Sequence, residues 1–468
     1  MSPHEPARYR FGPRDRRGLV AGARAPQVLV AASAFVAAVA VVRSVHGSAG
    51  GAAAAVLVAC GVAAAFVPVR GRTADEWVPL AARYALTSVL GRRRSVVARG
   101  APARGARPPG PFSSLELHEL EGPSVGGPFG ALRDRRSGTS TAVLSLGSDS
   151  FALLDEQERA RRVASWSGVL SAMSGESSPI HRLQWVERAL PDRGEALRQH
   201  LALHGADEAG SPGVAAARHS YEELLADEGS GLLRHELFLV CTVRGARPSS
   251  SVLAECVSRL EQRCRDASIP VDGVLSRAGL AALLRRSFDE IPGSGPVAWP
   301  WPSAVDVSWS AARTDGTWHA TYWIAEWPRT DVAHDFLLPL LVGCPQRRSV
   351  SVVMASVPSR RAIRAAEHAR TSTVADAELR RRHGFATSAR RHREHEAVVR
   401  REDELAEGHA AYRFSGYVTV TVTDPGALEG ACARVEQAAA LSRVELRRLY
   451  GAQGDAMTFT LPLGRGCA

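Results

Sequence analysis

The sequence predicts an α+β protein that begins with a pair of membrane-spanning helices. Two uncharged segments lie near the N-terminus, and strand-like stretches alternate with helix-like stretches through the remainder of the chain. At 468 residues the chain is also too long for one ordinary domain. We therefore expect a transmembrane helical hairpin followed by two cytosolic α+β lobes with mixed or antiparallel sheets.

The helical hairpin is predicted from the absence of charge. Residues 25–42 and 47–69 contain no charged side chain, and only the short segment 43–46 separates them. A helix needs about 20 apolar residues to cross a membrane, so the two segments predict a transmembrane hairpin over 25–69. A cleaved signal peptide would not require the second uncharged segment.

Arginine residues are distributed unevenly around this hairpin. Six lie in the basic tail 1–24, seven lie in 70–99, and Arg43 alone lies in the connection. The positive-inside rule therefore predicts a protein of the inner (cytoplasmic) membrane with both termini in the cytoplasm. The same charge predicts contact with anionic lipid, and Phe11–Arg17 is the best candidate segment for a lipid or partner contact.

Stretches rich in proline and glycine divide the rest of the chain. Residues 70–138 are predicted to hold a juxtamembrane helix, which lies on the membrane surface, and a linker. The first lobe is expected over 139–291 and the second over 304–468, with a linker at 292–303. Within the second lobe, 358–407 carries arginine and glutamate at helical spacing and predicts a long solvated helical stretch.

The individual elements follow from periodicity and from helix start and stop signals. Strands are expected at 139–147, 178–190, 233–245, 319–327, 348–357, 411–423, 442–450 and 456–463. Helices are expected at 155–173, 212–229, 249–267, 330–343 and 424–441. For the helix at 330–343, Thr330 or Asp331 is the expected N-cap.

The composition excludes several functions. The chain contains no lysine, so all 58 basic residues are arginine and the net charge is +10. A Walker A loop and Schiff-base catalysis both need a lysine, so the chain is not a P-loop motor or a Schiff-base enzyme. Seven scattered cysteines without a C-x-x-C pair indicate reduced thiols, not a disulfide framework or a zinc cage.

The densest aromatic stretch runs from Trp318 to Trp327. Alternation places Trp318 and Tyr322 on one face and Trp323 on the other, and both faces are largely apolar, as in an interior strand. We therefore predict that Trp318, Tyr322, Trp323 and Trp327 are core or interface residues and not catalysts. A partner-binding aromatic surface is the alternative interpretation.

Histidines and aspartates near this stretch are the candidates for a catalytic or metal site. They are His319, Asp331, His334 and Asp335. No pattern of nucleophile, base and orienting residue accompanies them. His392 and His395 are three residues apart but lack a third ligand, which favours a solvated helix face over a metal site. We predict no catalytic, cofactor-binding or metal-binding residue.

Four parts of the chain carry a resemblance to a known family. They are RYRFGPRDRRGLVAG, the hairpin, SPIHRLQWVERALPD, and WHATYWIAEWPRTDVAHDFLLPLL with FSGYVTVTV. Together they resemble actinobacterial membrane proteins of conjugation-like type IV secretion clusters. Proteins of that family look like a two-helix inner-membrane subunit fused to the non-motor N-terminal module of the assembly ATPase. The resemblance implies a non-enzymatic scaffold that docks a separate P-loop ATPase and a polytopic channel protein, and that forms a homo-oligomer.

Two other classes of function stay open. The type VII secretion component EccE also has two N-terminal spans before a cytosolic domain, so the layout resembles that component too. A membrane-tethered enzyme is the third class, although the sequence supplies no recognisable constellation for it. The basic run 378–394 leaves sequence-neutral binding to nucleic acid open as well.

Overall fold

The structure is a computed structural model that describes most of the chain. The described residues are 11, 25–45, 47–67, 72–91, 93–97, 107–122, 125–147, 154–175, 178–191, 216, 219–220, 233–245, 250–289, 297, 299–382 and 389–467. The helix predicted at 212–229 therefore lies almost wholly outside the described residues. The same holds for the basic segment Phe11–Arg17, except for Phe11 itself.

Thirteen strands in this described part of the chain form one antiparallel sheet. The strands are β1 (Arg94–Val96), β2 (Leu115–Gly122), β3 (Gly127–Asp134), β4 (Thr139–Leu146), β5 (Ile180–Pro191), β6 (Leu233–Arg244), β7 (Val271–Val274), β8 (Ala304–Val307), β9 (Ala312–Thr314), β10 (Thr317–Glu326), β11 (Arg348–Val357), β12 (Ala411–Val422) and β13 (Glu445–Arg448). Their order is β1-β8-β9-β10-β12-β11-β5-β6-β4-β3-β2, with β13 beside β10 and β7 beside β4. The α+β class is confirmed.

Three helices precede the first strand of the sheet, and later helices pack on both of its faces. The helices are α1 (Ala25–Ser44), α2 (Ser48–Phe66), α3 (Ala74–Val89), α4 (Glu156–Met173), α5 (Ser250–Asp266), α6 (Arg277–Phe288), α7 (Leu338–Leu341), α8 (Ser359–Arg382), α9 (Ala389–Ala406), α10 (Leu428–Leu441) and α11 (Gln453–Ala456). Two helices start at side-chain caps, because Asp155 accepts from the Glu158 amide and Ser276 accepts from the Gly279 amide.

The chain on either side of the β5–β11 pair repeats one topology. In the first half (115–288) three strands are followed by a helix, two strands, a helix, a strand and a helix. The second half (304–456) has the same series, with α8 and α9 inserted between β11 and β12. In both halves the last strand pairs with the third, β7 with β4 and β13 with β10. Because β5 and β11 pair antiparallel, an approximate two-fold rotation relates the halves.

The sheet is continuous across the two predicted lobes. The pairing of β5 with β11 extends from Ala189 opposite Arg348 to Leu183 opposite Met354. In the predicted linker 292–303, Trp301 is buried in the core. The segment 70–138 contains β1, β2 and β3 in addition to α3. The lobe boundaries stay predictions, and the structure shows that the strands on both sides of them belong to one sheet.

Both faces of the sheet are buried. On the face called here the first face, α4, α5, α7 and α10 pack on strand residues such as Leu144, Leu239 and Val418. On the opposite, second face, α6 and the segment 457–463 pack on residues such as Val143. Each fully buried leucine or valine contributes about 2 kcal/mol relative to exposure. Because both sides are covered, the polar residues of β10, such as His319 and Thr321, lie inside the fold and not on a solvated face.

Most predicted elements of the body are confirmed to within a few residues. The confirmed strands are β4, β5, β6, β10, β11, β12 and β13, and the confirmed helices are α4, α5 and α10. The polar stretch 358–407 is α8 and α9, which pack against each other and are joined by an ion pair of 2.8 Å between Arg370 and Glu402. We call this pair of helices the polar hairpin.

Two predicted elements are wrong. The helix expected at 330–343 is only α7, four residues long, and its N-cap is Leu337 in place of Thr330 or Asp331. Pro339 lies in the first turn of α7, which begins at Leu338, where a proline breaks no hydrogen bond within the helix. The strand expected at 456–463 consists of a helical turn and an extended end. Its carbonyls at Phe459 and Leu461 accept from the buried Gln184 side chain instead of from a strand.

Candidate functional site: the hairpin and its junction with the body

The helices α1 and α2 are each long and apolar enough to cross a membrane. They pack against each other along their length. A Cβ atom on Gly61 would lie 2.2 Å from the Cβ of Ala34, so this glycine permits close helix contact. Most other side chains are exposed, including Leu29 and Phe35 at 71% and 61%. Such an apolar surface is unfavourable in water and matches the hydrocarbon interior of a membrane.

The helix α3 continues from this hairpin and touches both of its helices. It begins after Thr73, with Asp75 and Glu76 in the first turn, where the helix dipole favours negative charge. Val78, Leu86 and Val89 are exposed apolar side chains on this helix. A helix is thus present where the juxtamembrane helix is predicted, and its exposed apolar side chains are compatible with that prediction.

Four aromatic rings join α3 to the second half of the sheet. Trp77 of α3 stacks on Trp309 at 5.9 Å between ring centroids and lies 5.6 Å from Tyr450. Tyr84, two turns later, meets Trp309 edge-on at 5.0 Å. Aromatic pairs of this geometry stabilise by about 0.5–1.5 kcal/mol beyond their buried area. We call these four residues the aromatic junction.

Arginines reinforce the aromatic junction. Arg83 of α3 forms an ion pair of 2.6 Å with Asp455. The guanidinium of Arg72 lies 5.4 Å from the Trp77 ring, and that of Arg93 lies 5.1 Å from the Tyr84 ring. Arg93 also donates to the carbonyl of Val307 at 3.0 Å. Contacts on both sides of α3 therefore tie the hairpin to β8 and to the chain after β13.

The N-terminal segment contacts the body through Phe11. Its ring stacks on Trp327 at 5.1 Å and lies 5.4 Å from Phe336 and 6.2 Å from Phe414. Phe11–Arg17 is predicted to contact lipid or a partner, and Phe11 itself contacts the second half of this chain. We call these four residues the Phe11 cluster.

One aromatic residue of β10 lies in the core, and the other two are only partly buried. Tyr322 is buried, and its hydroxyl donates to Glu436 of α10 at 2.8 Å. Trp318 and Trp323 are half-buried, and the guanidinium of Arg313 lies 5.5 Å from the Trp318 ring. Trp327 belongs to the Phe11 cluster. The prediction of an interior strand is confirmed, because β12 lies on one side of β10 and β9 and β13 lie on the other.

His319 is a buried residue of the second face. Its Nε2 atom lies 2.7 Å from Thr314 Oγ1 and 3.0 Å from Thr317 Oγ1, and its Nδ1 atom lies 3.0 Å from Thr421 Oγ1. Burial, with a smaller effect of Arg347, lowers the pKa of His319 to about 3. The imidazole is therefore neutral near pH 7 and links three strands through hydroxyl groups.

The other candidate acid–base residues have different partners. His334 Nδ1 lies 3.6 Å from Glu156, and Asp335 lies 3.9 Å from Arg159, so both contact α4. Asp331 lies in the irregular chain before α7. His319 is held by threonines, whereas His334 and Asp335 contact α4, so the structure places His319 apart from these two candidates.

The histidines of the polar hairpin lie on α9. His395 is half-buried there, and His392 lies in the same helix. Within the described ranges, no group of three or more histidine, cysteine, aspartate or glutamate side chains could hold a metal ion. On the other helix of this hairpin, α8, the exposed Arg381 pairs with Glu378.

Sequence reasoning missed two buried polar side chains of β5, one of which joins the two halves. Gln184 of β5 donates to Ser351 of β11 at 2.8 Å and accepts from the Gly464 amide at 2.8 Å. Arg188, also on β5, is buried beside Glu236 of β6 at 3.5 Å. The alternation of side chains along β5 places Gln184 and Arg188 on the same face of the strand, but the sequence does not show that this face is buried.

A scan against protein-family models finds no match to this chain, and a search of curated proteins finds no significant relative. The geometry of the hairpin, the aromatic junction and the sheet is therefore the basis for the functional conclusion below.

Proposed function

We propose that this protein is a non-enzymatic scaffold of the inner membrane, in a type IV secretion or conjugation-like machine, and that it docks a separate P-loop ATPase. In this proposal α1 and α2 span the membrane, both termini lie in the cytoplasm, and the sheet forms the cytosolic body. A polytopic channel protein, anionic lipid and further copies of this chain are its expected neighbours.

The observation that carries the proposal is the attachment of the apolar hairpin to the body. A flexible tether would hold a soluble domain near a membrane without fixing its orientation. Here α3 touches α1 and α2, while Trp77 and Tyr84 on the same helix pack on Trp309. A body held in one orientation by its anchor suits a scaffold that must present a fixed surface to a partner.

The chemistry of the chain supports a partner that supplies the energy. A Walker A loop needs a lysine to contact the phosphates of the nucleotide, and this chain has none. His319 is neutral and held by hydroxyl groups, and His334 and Asp335 contact α4. A scaffold that docks an ATPase requires neither a nucleotide-binding loop nor a catalytic site of its own.

The polar hairpin is the part of the body that we assign to docking the ATPase. It is inserted between β11 and β12, at the position where Val357 pairs with Ala411. Exposed charges, among them Arg361, Arg364 and Glu367, line α8. Charged, exposed helices of this kind guide association and select partners by electrostatic complementarity. If the insertion were removed, the pairing of Val357 with Ala411 would still allow β11 and β12 to be joined by a turn.

The first experiment is a pull-down of the tagged chain from native membranes in mild detergent, with mass spectrometry of the bound proteins. We expect a P-loop ATPase and a polytopic channel protein. Recovery of type VII secretion components would overturn the type IV assignment in favour of an EccE-like role. Isolation of the chain alone at good yield would contradict the scaffold and favour a tethered enzyme.

Two deletions separate anchoring from docking. Removal of 25–69 should move the protein from the membrane fraction to the soluble fraction, and a soluble wild-type chain would refute the anchor. Replacement of 358–410 by a short turn should leave the protein in the membrane and abolish capture of the ATPase. Full capture by this second variant would move the docking surface elsewhere on the body.

A further inference from the structure

The two outer edges of the sheet correspond to each other, because the approximate two-fold rotation matches β2 of the first half with β8 of the second. In the described part of the chain, only one of these edges carries a further strand. On the second half, β1 pairs antiparallel with β8 and is itself outermost, whereas on the first half β2 is outermost. The second half therefore shows, within this chain, how a strand is added to such an edge.

The added strand β1 combines backbone hydrogen bonds with an opposite charge. The Val307 amide beside β8 donates to the Arg93 carbonyl at 3.0 Å, and the Arg93 side chain donates to the Val307 carbonyl at 3.0 Å. Arg94 of β1 lies opposite Asp306 of β8. Opposite charges at facing positions stabilise strand pairing. The segment that covers this edge is thus extended and rich in arginine, and the edge supplies a carboxylate.

The corresponding edge strand β2 is longer, with eight residues against three in β1. The amide of Gly130, which lies opposite Glu119, donates to the Leu275 carbonyl and so points away from β2. Because bonded and non-bonded pairs alternate along antiparallel strands, the N–H and C=O groups of Leu117, Glu119 and Glu121 point outward, away from β3. No hydrogen bond within the part of the chain that the structure describes reaches these outward groups.

The side chains of this edge carry negative charge. Glu119 and Glu121 are exposed and lie opposite a glycine and a proline of β3, which carry no charge. Glu116, by contrast, pairs with Arg135. If β2 of a second copy were added here across a two-fold axis, the glutamates of both copies would meet, and like charges at facing positions destabilise strand pairing. The edge therefore favours a basic strand over its own copy.

We propose that β2 is the docking edge for an extended, arginine-rich segment of a partner protein, which joins the sheet as a further antiparallel strand. Its backbone pairs with the outward groups of β2, and its arginines face Glu119 and Glu121 as Arg94 faces Asp306. Main-chain hydrogen bonds provide the affinity in this mode of recognition, and alternate side chains provide the specificity. The edge is separate from the polar hairpin, so the proposal does not rest on the docking of the ATPase.

The probe is a synthetic peptide of residues 92–99 of this chain, RRRSVVAR, which contains β1 and its flanking arginines. Binding of the labelled peptide to the full chain in detergent is measured by fluorescence anisotropy, and amide hydrogen exchange locates it. We expect saturable binding and slower exchange in β2. No binding would mean that the glutamates only protect the edge from aggregation. Binding that leaves exchange in β2 unchanged would place the peptide elsewhere, and either result would overturn the proposal.

A matched pair of variants separates this site from general attraction between opposite charges. Glu119→Arg should weaken binding of the peptide about tenfold, because arginine then faces arginine. Glu367→Arg on the exposed surface of α8 makes the same change in net charge and should leave the affinity unchanged. Equal weakening in both variants would refute a specific site at β2.

Modified peptides test whether the backbone pairs. Methylation of alternate backbone nitrogens removes the donors along one side of the peptide and leaves those along the other side intact. Of the two possible patterns of methylation, we expect one to abolish binding and the other to preserve it. A peptide that tolerates both patterns would bind through its side chains alone, which would contradict the addition of a strand.

Discussion

The two halves of the sheet share a strand order and differ in what surrounds it. The N-terminal region contacts the second half at two places, the aromatic junction and the Phe11 cluster. The aromatic junction uses Trp309 and Tyr450, and the Phe11 cluster uses Trp327, Phe336 and Phe414. One copy of the topology thus serves attachment, and the other copy extends the body away from it.

The cores of the halves differ as much as their attachments. The first half buries three cysteines, Cys241, Cys256 and Cys264, among aliphatic residues. Burial raises the pKa of the Cys264 thiol to about 11 and raises that of Cys241 further, so these thiols are unreactive. The second half also buries Cys344 and Cys432, and it adds the buried Tyr322 with a hydrogen bond to Glu436. The comparison shows that strand order and strand pairing determine this architecture, while the side chains of the core can vary widely.

Loss of Gln184 should have the largest effect, since this residue joins the halves. Its side chain bonds to Ser351, to the carbonyls of Phe459 and Leu461, and to the Gly464 amide. Gln184→Leu leaves these buried groups without a partner, and we expect a loss of about 4 kcal/mol in the free energy of unfolding. Urea denaturation of the full chain in detergent measures this loss.

A matched variant shows whether the effect depends on the junction between halves. Gln453 is equally buried, but it bonds to Thr321 and Leu449 within the second half. We expect Gln453→Leu to increase amide hydrogen exchange in the second half alone, and Gln184→Leu to increase it in both. The same exchange pattern in both variants would contradict a special role for Gln184.

The sequence predicts elements well where local signals are strong. Asp155 before α4 and the uncharged run of α1 and α2 are such signals, and the elements they predict are present. The repeat is invisible in the sequence because the halves share pairing and not residues: Leu144 occupies the first face in one half and Tyr322 in the other. The pairing of β5 with β11 joins residues more than 150 positions apart, and periodicity carries no information on such partners.

The candidate site was predictable to a similar degree. The apolar hairpin follows from hydropathy alone, whereas the aromatic junction depends on rings that are far apart in the chain, such as Trp77 and Tyr450. The cluster of arginines around Glu236 was not predictable, because Arg188, Arg234 and Arg286 lie on β5, β6 and α6. Only the folded sheet brings Arg188, Glu236 and Arg347 together.

Acidification should weaken the second half next most strongly. The pKa of His319 is about 3 in the fold, below its ordinary value of 6.5, because the residue is buried. As the pH falls, His319 is therefore protonated in the unfolded chain before it is protonated in the folded chain. The free energy of unfolding falls between pH 6.5 and pH 3, by up to about 1.4 kcal/mol per pH unit. Unfolding measured at several pH values in this range gives the slope.

The first half contains a histidine that serves as the comparison. Burial, with Arg244 and Arg182, lowers the pKa of His181 to about 4, but this side chain is only partly buried. Solvent screening should make its contribution to the slope smaller. We expect His319→Gln to reduce the pH dependence clearly and His181→Gln to reduce it slightly. An unchanged slope in His319→Gln would show that other groups cause the acid sensitivity.

Two glycines with similar backbone angles test the aromatic junction. Gly451 has φ +71° and Gly138 has φ +64°, so alanine is strained at both positions. At Gly451 a Cβ atom would also lie 2.7 Å from the Trp309 ring, whereas at Gly138 the space is open. We expect a loss of about 1 kcal/mol for Gly138→Ala and about 2 kcal/mol for Gly451→Ala. Equal losses would mean that the Trp309 ring moves without cost.

The smallest effect is expected in the polar hairpin, where an ion pair stabilises only an exposed insertion. Arg370 pairs with Glu402 at 2.8 Å, and the Arg370 side chain is exposed, so water and salt screen the attraction. Arg285 forms a comparable pair of 2.7 Å with Asp315, but it is partly buried, and it links α6 of the first half to the turn before β10. The two ion pairs therefore differ in burial and in what they connect.

Arg370→Gln should leave the unfolding midpoint unchanged, while Arg285→Gln should lower it. Removal of Arg285 leaves Asp315 and the carbonyl of Trp301 without their shared donor, at a cost of about 1–2 kcal/mol. Differential scanning calorimetry of both variants measures the two midpoints. If Arg370→Gln proved the more destabilising, the polar hairpin would be part of the cooperative core and not an insertion that a partner can engage without disturbing the sheet.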